Sequence, residues 1–136
     1  MQSISEFINE RKQKINSVLK IRMRDIGGKT HRYFYIEKAA FLPCKHLNKK
    51  GKEFKIFTFE RLKAIKPDKN VLHDIWENES NSKYPNIEYR IGYFIIGKKG
   101  KAKDKWWWGQ SCPMIGHEDF HKLIEIAYKE EVILKK

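Results

Sequence analysis

The residues best suited to chemistry are the cations and aromatics of one short segment, residues 97–108. Five lysines lie close together in it: Lys98, Lys99, Lys101, Lys103 and Lys105. Lysine ammonium groups contact phosphates and release the counterions that surround a nucleic acid. Trp107 follows these lysines and, if exposed, would stack on an unpaired base. We therefore predict that this segment binds nucleic acid; the alternative is a solvated hairpin tip with packed tryptophans beside it.

A second basic cluster precedes the middle of the chain. It consists of Lys45, His46, Lys49, Lys50 and Lys52. Its composition is similar to that of the first cluster, and two such loops on one face of the protein would form a groove. We therefore predict that Lys49, Lys50 and Lys52 also contact nucleic acid.

Three residues of one predicted strand are suited to catalysis on RNA. His31, Tyr33 and Glu37 alternate along the chain, which places them on a common face of a strand. A base that deprotonates the 2′-hydroxyl, helped by cations that hold the phosphate, cleaves RNA without a metal ion. Alternating tyrosines are also typical of an ordinary packed face. A metal-independent nuclease or toxin acting on RNA is therefore an alternative function, and whether the protein is an enzyme stays open.

One motif matches a known metal site by its letters. His117, Glu118 and His121 fit the H-E-x-x-H pattern of zinc metalloproteases. Asp119 places a charge inside the motif, however, and no obvious third ligand follows His121. Glu118 and Asp119 are explained more simply as complements to the positive end of a helix dipole. The sequence also lacks a G-x-x-x-x-G-K-[ST] phosphate loop, which argues against nucleotide hydrolysis of that type. We predict neither a metal nor a cofactor.

The overall charge favours a polyanionic partner. The chain has 136 residues, with 29 lysines and arginines against 17 aspartates and glutamates, a formal net charge of +12 at pH 7. Such an excess concentrates polyanions and speeds their association. Nucleic acid, DNA or RNA, is therefore the predicted partner, although a surface of this kind also serves solubility alone. A protein-interaction module of phage or mobile-element type, with an acidic partner, is the second alternative function.

No segment predicts a membrane protein or a secreted one. No apolar run approaches the roughly 20 residues that span a bilayer. The N-terminus, Met1 to Ile8, carries Glu6 and lacks the apolar run of a secretory signal. Cys44 and Cys112 could pair only once, and a domain of this size needs no disulfide, so we predict free thiols. The predicted location is the cytoplasm.

Two segments that position these residues are predicted helices. Ser3 and Glu6 form a capping box, in which each side chain satisfies a free backbone donor at a helix start. Apolar residues then recur at helical spacing. A second helix is predicted from Gly116 or His117. Its predicted buried stripe consists of Phe120, Leu123, Ile124 and Ala127.

Between the helices the sequence predicts antiparallel strands joined by hairpins. Residues 20–37 form a predicted hairpin around Gly27-Gly28, where two residues are free to take positive φ. Residues 55–59 make a third strand. Apolar and polar residues alternate over residues 87–96, which predicts a half-buried strand, and the chain returns at residues 106–108.

The remaining segments are predicted as loops and short helical turns. Residues 39–52 are predicted as a loop, residues 62–65 as a helical turn and residues 71–76 as a short helix. We predict a single α+β domain over residues 1–136. It comprises an N-terminal helix, an antiparallel sheet of about four to five strands built from hairpins, and a C-terminal helix packed on the sheet.

Overall fold

In the part of the chain that the computed structural model describes, two helices flank a five-stranded antiparallel sheet. The structure describes residues 1–23, 30–48, 51–65, 81–109 and 112–136, with the backbone alone at 21–23, 30–32, 46–48 and 51–53. The elements are α1 (Ile4–Gln13), β1 (Val18–Met23), β2 (Thr30–Asn48), β3 (Gly51–Ile65), β4 (Ile87–Ile96), a 3₁₀ turn (Gly100–Ala102), β5 (Trp106–Trp108) and α2 (His117–Lys129). Each strand pairs with its neighbour in the chain. The predicted α+β class and the order of its elements are confirmed.

Helix α1 begins where the capping residue predicts. The Oγ atom of Ser3 accepts a hydrogen bond from the backbone N–H of Glu6 at 3.1 Å, which satisfies one of the free donors of the first turn. Phe7 is buried and packs with Ile56 of β3 and Phe94 of β4. The helix therefore covers one face of the sheet, which we call the α1 face.

Helix α2 covers the opposite face, the α2 face. Leu123 and Ala127 are fully buried there against Phe57 and Phe59 of β3. The predicted stripe is wrong at Phe120, which lies in the first turn, beside the ring of His121, and stays 40% exposed. Because β3 sends alternate side chains to two covered faces, the sheet is the middle of three layers.

The predicted loop over residues 39–52 is wrong, because β2 runs to Asn48 and β3 begins at Gly51. Strand β1 pairs with β2 only as far as Tyr35. Beyond that residue, within the part of the chain that the structure describes, β2 pairs with β3 alone. Pro43 therefore lies on an edge, where a strand needs no backbone N–H and proline is tolerated.

The helical turn predicted at residues 62–65 is also wrong. Leu62 pairs with Ile36 and Ile65 pairs with Tyr33, so β3 stays extended to its end. The helix predicted at residues 71–76 and the turn at Gly27-Gly28 lie outside the described residues.

A β-bulge between Ile36 and Lys38 changes the alternation of β2. Before the bulge, Phe34 and Ile36 share a small core with Leu62, on the α1 face. After it, even-numbered residues such as Ala40 belong to the core on the α2 face. One extra residue thus exchanges the two faces of the strand from this point onward.

Candidate nucleic-acid interface

The tip of the β4–β5 hairpin, residues 97–105, is held by its own backbone. The N–H of Gly97 donates to the carbonyl of Lys105 at 2.9 Å, and the N–H of Asp104 donates to the carbonyl of Gly97 at 2.9 Å. The N–H of Lys105 also donates to the carbonyl of Ala102 at 3.0 Å. These bonds fold the tip back on itself across one 3₁₀ turn. The side chains of the tip are consequently carried on a fixed backbone.

Two glycines permit this fold. A Cβ atom on Gly97 would lie 2.0 Å from the carbonyl oxygen of Ala102, so the backbone approaches itself more closely there than any side chain allows. Gly100 has φ +62°, the left-handed region that glycine adopts without strain. Both residues are needed for the geometry of the tip and not for its charge.

All five predicted lysines of the tip are exposed: Lys98, Lys99, Lys101, Lys103 and Lys105. Asp104 is the one acidic residue of the segment, which therefore carries a formal charge of +4 from five lysines and one aspartate. Clustered cations on a fixed backbone attract polyanions from solution.

The three tryptophans of β5 divide between the two faces as strand alternation predicts. Trp106 donates from Nε1 to the carbonyl of Gln2 at 3.1 Å and stacks on Phe7, with ring centroids 5.5 Å apart. Trp108 lies on the same α1 face, edge-on to Phe94. Trp107 projects to the α2 face and is 47% exposed. One tryptophan of the three is therefore available to a ligand.

A row of cross-strand partners joins Trp107 to the interior of the sheet. Ile95 pairs with Trp107 on one side and with Lys55 on the other. All three belong to the α2 face. The Nζ atom of Lys55 lies 5.1 Å from the ring centroid of Tyr93. Across three neighbouring strands the row thus presents, in this order, a cation, an aliphatic side chain and a half-exposed indole.

A cleft of about 720 Å³ opens beside this row, at the base of the hairpin tip. Phe54, Tyr93 and Ile95 provide apolar lining, whereas Lys55 and Lys103 supply cations. Lys98 and Asp104 also line it. The volume lies within the range of small-molecule pockets, and the combination of an apolar floor with a few charged groups is typical of them.

A second cleft, of about 670 Å³, lies between α1 and the same hairpin. Two of its cations, Lys14 and Arg11, are engaged by the protein itself, and Lys103 and Lys105 of the tip also line it. Lys14 pairs with Glu10 at 3.4 Å, and the Arg11 guanidinium lies 3.9 Å from the carboxylate of Glu60 and over the ring of Phe94. The charges of Lys14 and Arg11 are therefore partly compensated on the α1 face.

The carboxylate of Glu60 has a structural role. It is 2% exposed and accepts hydrogen bonds from Nε and Nη2 of Arg90 at 3.0 and 2.8 Å. The Arg90 guanidinium also stacks on Trp108, 4.0 Å from a ring centroid. A buried carboxylate held in this way satisfies the two arginines around it and is closed to solvent.

The second basic cluster reaches the same end of the sheet by topology. Strand β3 begins at Gly51, pairs with Asn48, and passes Lys55 at the level of Trp107. Lys52 lies in the first residues of β3, whereas Lys49 and Lys50 lie outside the described residues. The backbone of Lys52 thus lies at the same end of the sheet as the tip of the β4–β5 hairpin.

The candidate catalytic residues lie at the opposite end of the sheet. The backbone of His31 pairs with Arg22, and Tyr33 pairs with Ile65. Ile65 is ten residues beyond Lys55 along β3, which is at most about 33 Å. A phosphate held by the lysines of the tip is therefore remote from these residues.

Glu37 stands in the bulge of β2, outside the simple alternation that the sequence suggests. Its carboxylate accepts a hydrogen bond from Nε of Arg61 at 3.1 Å. The Nη1 atom of Arg61 donates in turn to the carbonyl of Glu131 at 2.8 Å. Glu37 is thus engaged in an ion pair that ties the C-terminal segment to the sheet.

The histidines of the H-E-x-x-H motif contact each other at the start of α2. The rings of His117 and His121 lie with centroids 4.5 Å apart, and both are exposed. Within the described ranges, no three histidine, cysteine or acidic side chains are grouped so that they could hold a metal ion. Burial raises the pKa of the Cys44 thiol to about 11, with a smaller contribution from Asp119, so this thiol is not an activated nucleophile.

Sequence reasoning missed Lys55, Tyr93 and Ile95 as site residues. Their types are ordinary for strands, and what brings them beside Trp107 is the register of three strands. No helix in the described part of the chain is long and apolar enough to cross a bilayer. No known protein family, curated protein or solved structure matches this chain.

Proposed function

We propose that this protein binds nucleic acid through the tip of the β4–β5 hairpin. The lysines of the tip contact phosphates, and Trp107 contacts a base. The observation that carries the proposal is the combination of five exposed lysines on a backbone-bonded tip with a 47% exposed tryptophan at its base.

The fixed backbone matters for affinity. A flexible basic loop must be ordered when it binds, and that ordering costs free energy. The tip is held by hydrogen bonds between Gly97, Ala102, Asp104 and Lys105, which reduces the backbone freedom that remains to be lost on binding. A lysine that contacts a phosphate does so as a point charge and carries no information about the base, which favours binding of low sequence specificity.

The test is a salt titration. Fluorescence anisotropy of labelled DNA and RNA, single- and double-stranded, is measured against the wild-type protein at several salt concentrations. Each phosphate contact contributes a slope of about −0.7 for single strands and about −0.9 for duplex DNA in a plot of log K against log salt. Replacing the five lysines of the tip with glutamine should make the slope shallower by about 3 to 5.

A control variant with the same loss of charge distinguishes the effect of the tip lysines from that of the overall charge of the protein. Lys12, Lys63, Lys129, Lys135 and Lys136 are exposed and lie outside the tip. Replacing these five lowers the formal net charge from +12 to +7, as the tip variant does. The proposal requires the tip variant to lose far more affinity than this control.

Equal losses in the two variants would mean that the charge acts only as a diffuse field. Binding that vanishes at physiological salt for every substrate would refute the proposal and favour an acidic protein partner. Cleavage of labelled RNA on a denaturing gel would instead favour the nuclease alternative.

A further inference from the structure

We propose that the ligand is single-stranded and that one of its unpaired bases enters the cleft on the α2 face, beside the Lys55–Ile95–Trp107 row. This inference rests on the proposed function and adds to it the class of nucleic acid and a binding site. It follows from the chemistry of the cleft and not from the lysines of the tip, which would serve any phosphate chain.

The lining of the cleft suits a base better than it suits a phosphate. Phe54, Tyr93 and Ile95 give it an apolar floor, and Trp107 stands next to Ile95 with nearly half of its surface exposed. Aromatic side chains of single-strand-binding proteins stack on bases because every base has a π face. A duplex hides these faces in its own stack, so Trp107 would have nothing to stack on.

The charge at the rim suits the rest of the nucleotide. Lys55 and Lys103 flank the floor, and Lys55 keeps its ammonium over the ring of Tyr93. A base on the apolar floor would place its attached phosphate near these cations. The carboxylate of Asp104 also lines the cleft and can accept a hydrogen bond from an exocyclic amine of a base.

The cleft on the α1 face is the poorer candidate although it shares the hairpin. Trp106 is bound to Gln2 and stacked on Phe7, and Trp108 is packed on Phe94. Trp106 and Trp108 are therefore occupied by contacts within the protein. Trp107 also borders this cleft, but its pairing with Ile95 puts its side chain on the α2 face of the sheet.

The experiment compares three ligands of equal phosphate count. They are a single strand of about 12 nucleotides, a single strand of the same length built of abasic residues, and a duplex with the same number of phosphates in total. Wild-type protein should bind the normal single strand most tightly. Trp107→Ala should weaken binding of that strand by about 5- to 150-fold and should leave the abasic strand and the duplex nearly unchanged.

Two further variants separate stacking from disturbance of the fold. Trp107→Phe keeps a ring and should recover most of the affinity that Trp107→Ala loses. Tyr128→Ala removes another aromatic side chain, 57% exposed on α2, and should bind all three ligands like the wild type. Lys55→Gln should lower the salt slope for the normal single strand by about 0.7.

The failures of the two proposals are distinguishable. If the duplex binds as tightly as the single strand and Trp107→Ala has no selective effect, the inference is overturned while the lysine variants still test the proposed function. If the wild-type protein binds none of the three ligands more tightly than the variant with all five tip lysines replaced, both proposals fail together.

Discussion

Replacing Gly92 with alanine should destabilise the protein, because the added methyl group would enter space that the indole of Trp108 occupies. A Cβ atom on Gly92 would lie 2.1 Å from Cη2 and 2.2 Å from Cζ2 of that ring. Carbon atoms pack at about 3.5–4.0 Å, so the indole would have to move by more than about 1 Å.

The size of the effect follows from what the indole contacts. Overpacking of this kind costs about 1–3 kcal/mol. The displaced ring would also weaken its contact with Arg90, now 4.0 Å away, and a partly buried cation–π contact is worth about 0.5–2 kcal/mol. Alanine recovers about 0.5–1 kcal/mol relative to glycine in a strand. We expect a net loss of about 1–3 kcal/mol.

Urea unfolding followed by circular dichroism measures this loss. Gly116→Ala is the control for steric overlap, because the nearest atom to its added Cβ is an Asp119 oxygen at 3.9 Å. Gly116 is the N-cap residue of α2, where alanine is less favourable than glycine, so this variant should lose less than about 1 kcal/mol through the cap alone. A second substitution that shrinks the ring, Trp108→Leu, should make the double variant less unstable than the sum of its parts. If Gly92→Ala were as stable as the wild type, the indole could not lie where the structure places it.

Two more predictions concern the other parts of the fold. Arg61→Ala should destabilise the protein by about 2–3 kcal/mol in the same unfolding assay, because it leaves the half-buried Glu37 carboxylate without its cation and removes the hydrogen bonds to the carbonyls of Glu131 and Val132. Lys63→Ala, at an exposed neighbouring position, should leave stability unchanged. At pH 8 iodoacetamide should alkylate the exposed Cys112 first and Cys44 much more slowly. Burial raises the pKa of the Cys44 thiol from 9.0 to about 11, which lowers its thiolate fraction about 100-fold. Equal alkylation rates of the two thiols in mass spectrometry would refute this. The raised pKa also fixes the direction of the pH dependence of stability, because the folded protein favours the neutral Cys44 thiol. The stabilisation from this thiol is complete below about pH 9 and is lost as the pH rises towards 11.

Local patterns predicted those features that local physics determines. The period of two along a strand is imposed by the backbone, so the division of Trp106, Trp107 and Trp108 between two faces could be read directly from the sequence. The start of α1 was equally accessible, because a capping serine acts within three residues of itself.

The segment from residue 39 to 52 shows where local patterns fail. Pro43 and Gly51 are typical of loops, yet both lie in strands. Proline is tolerated because β1 is too short to reach it, and no property of residues 39–52 themselves reveals the length of β1. The bulge of β2 is hidden for the same reason, since it depends on how β2 pairs with β3.

The candidate site was likewise predicted only in the part that depends on local sequence. Its lysines and Trp107 were predicted as a cluster because they are contiguous. Lys55, Tyr93 and Ile95 were not, because a residue enters this site through the pairing of β3, β4 and β5. Whether the lysines and Trp107 bind nucleic acid stays a prediction for the titrations described above.

The contacts of α1 have a consequence for the order in which a growing chain can fold. The carbonyl of Gln2 accepts its hydrogen bond from Trp106, 104 residues further along, and Phe7 packs on Phe94 and Trp106. A ribosome adds about 5–20 residues each second, so α1 waits roughly 5–20 s for these partners. A helix of ten residues is barely stable alone in water. The β2–β3 hairpin can pair long before then, and the helix made first is among the last elements to dock.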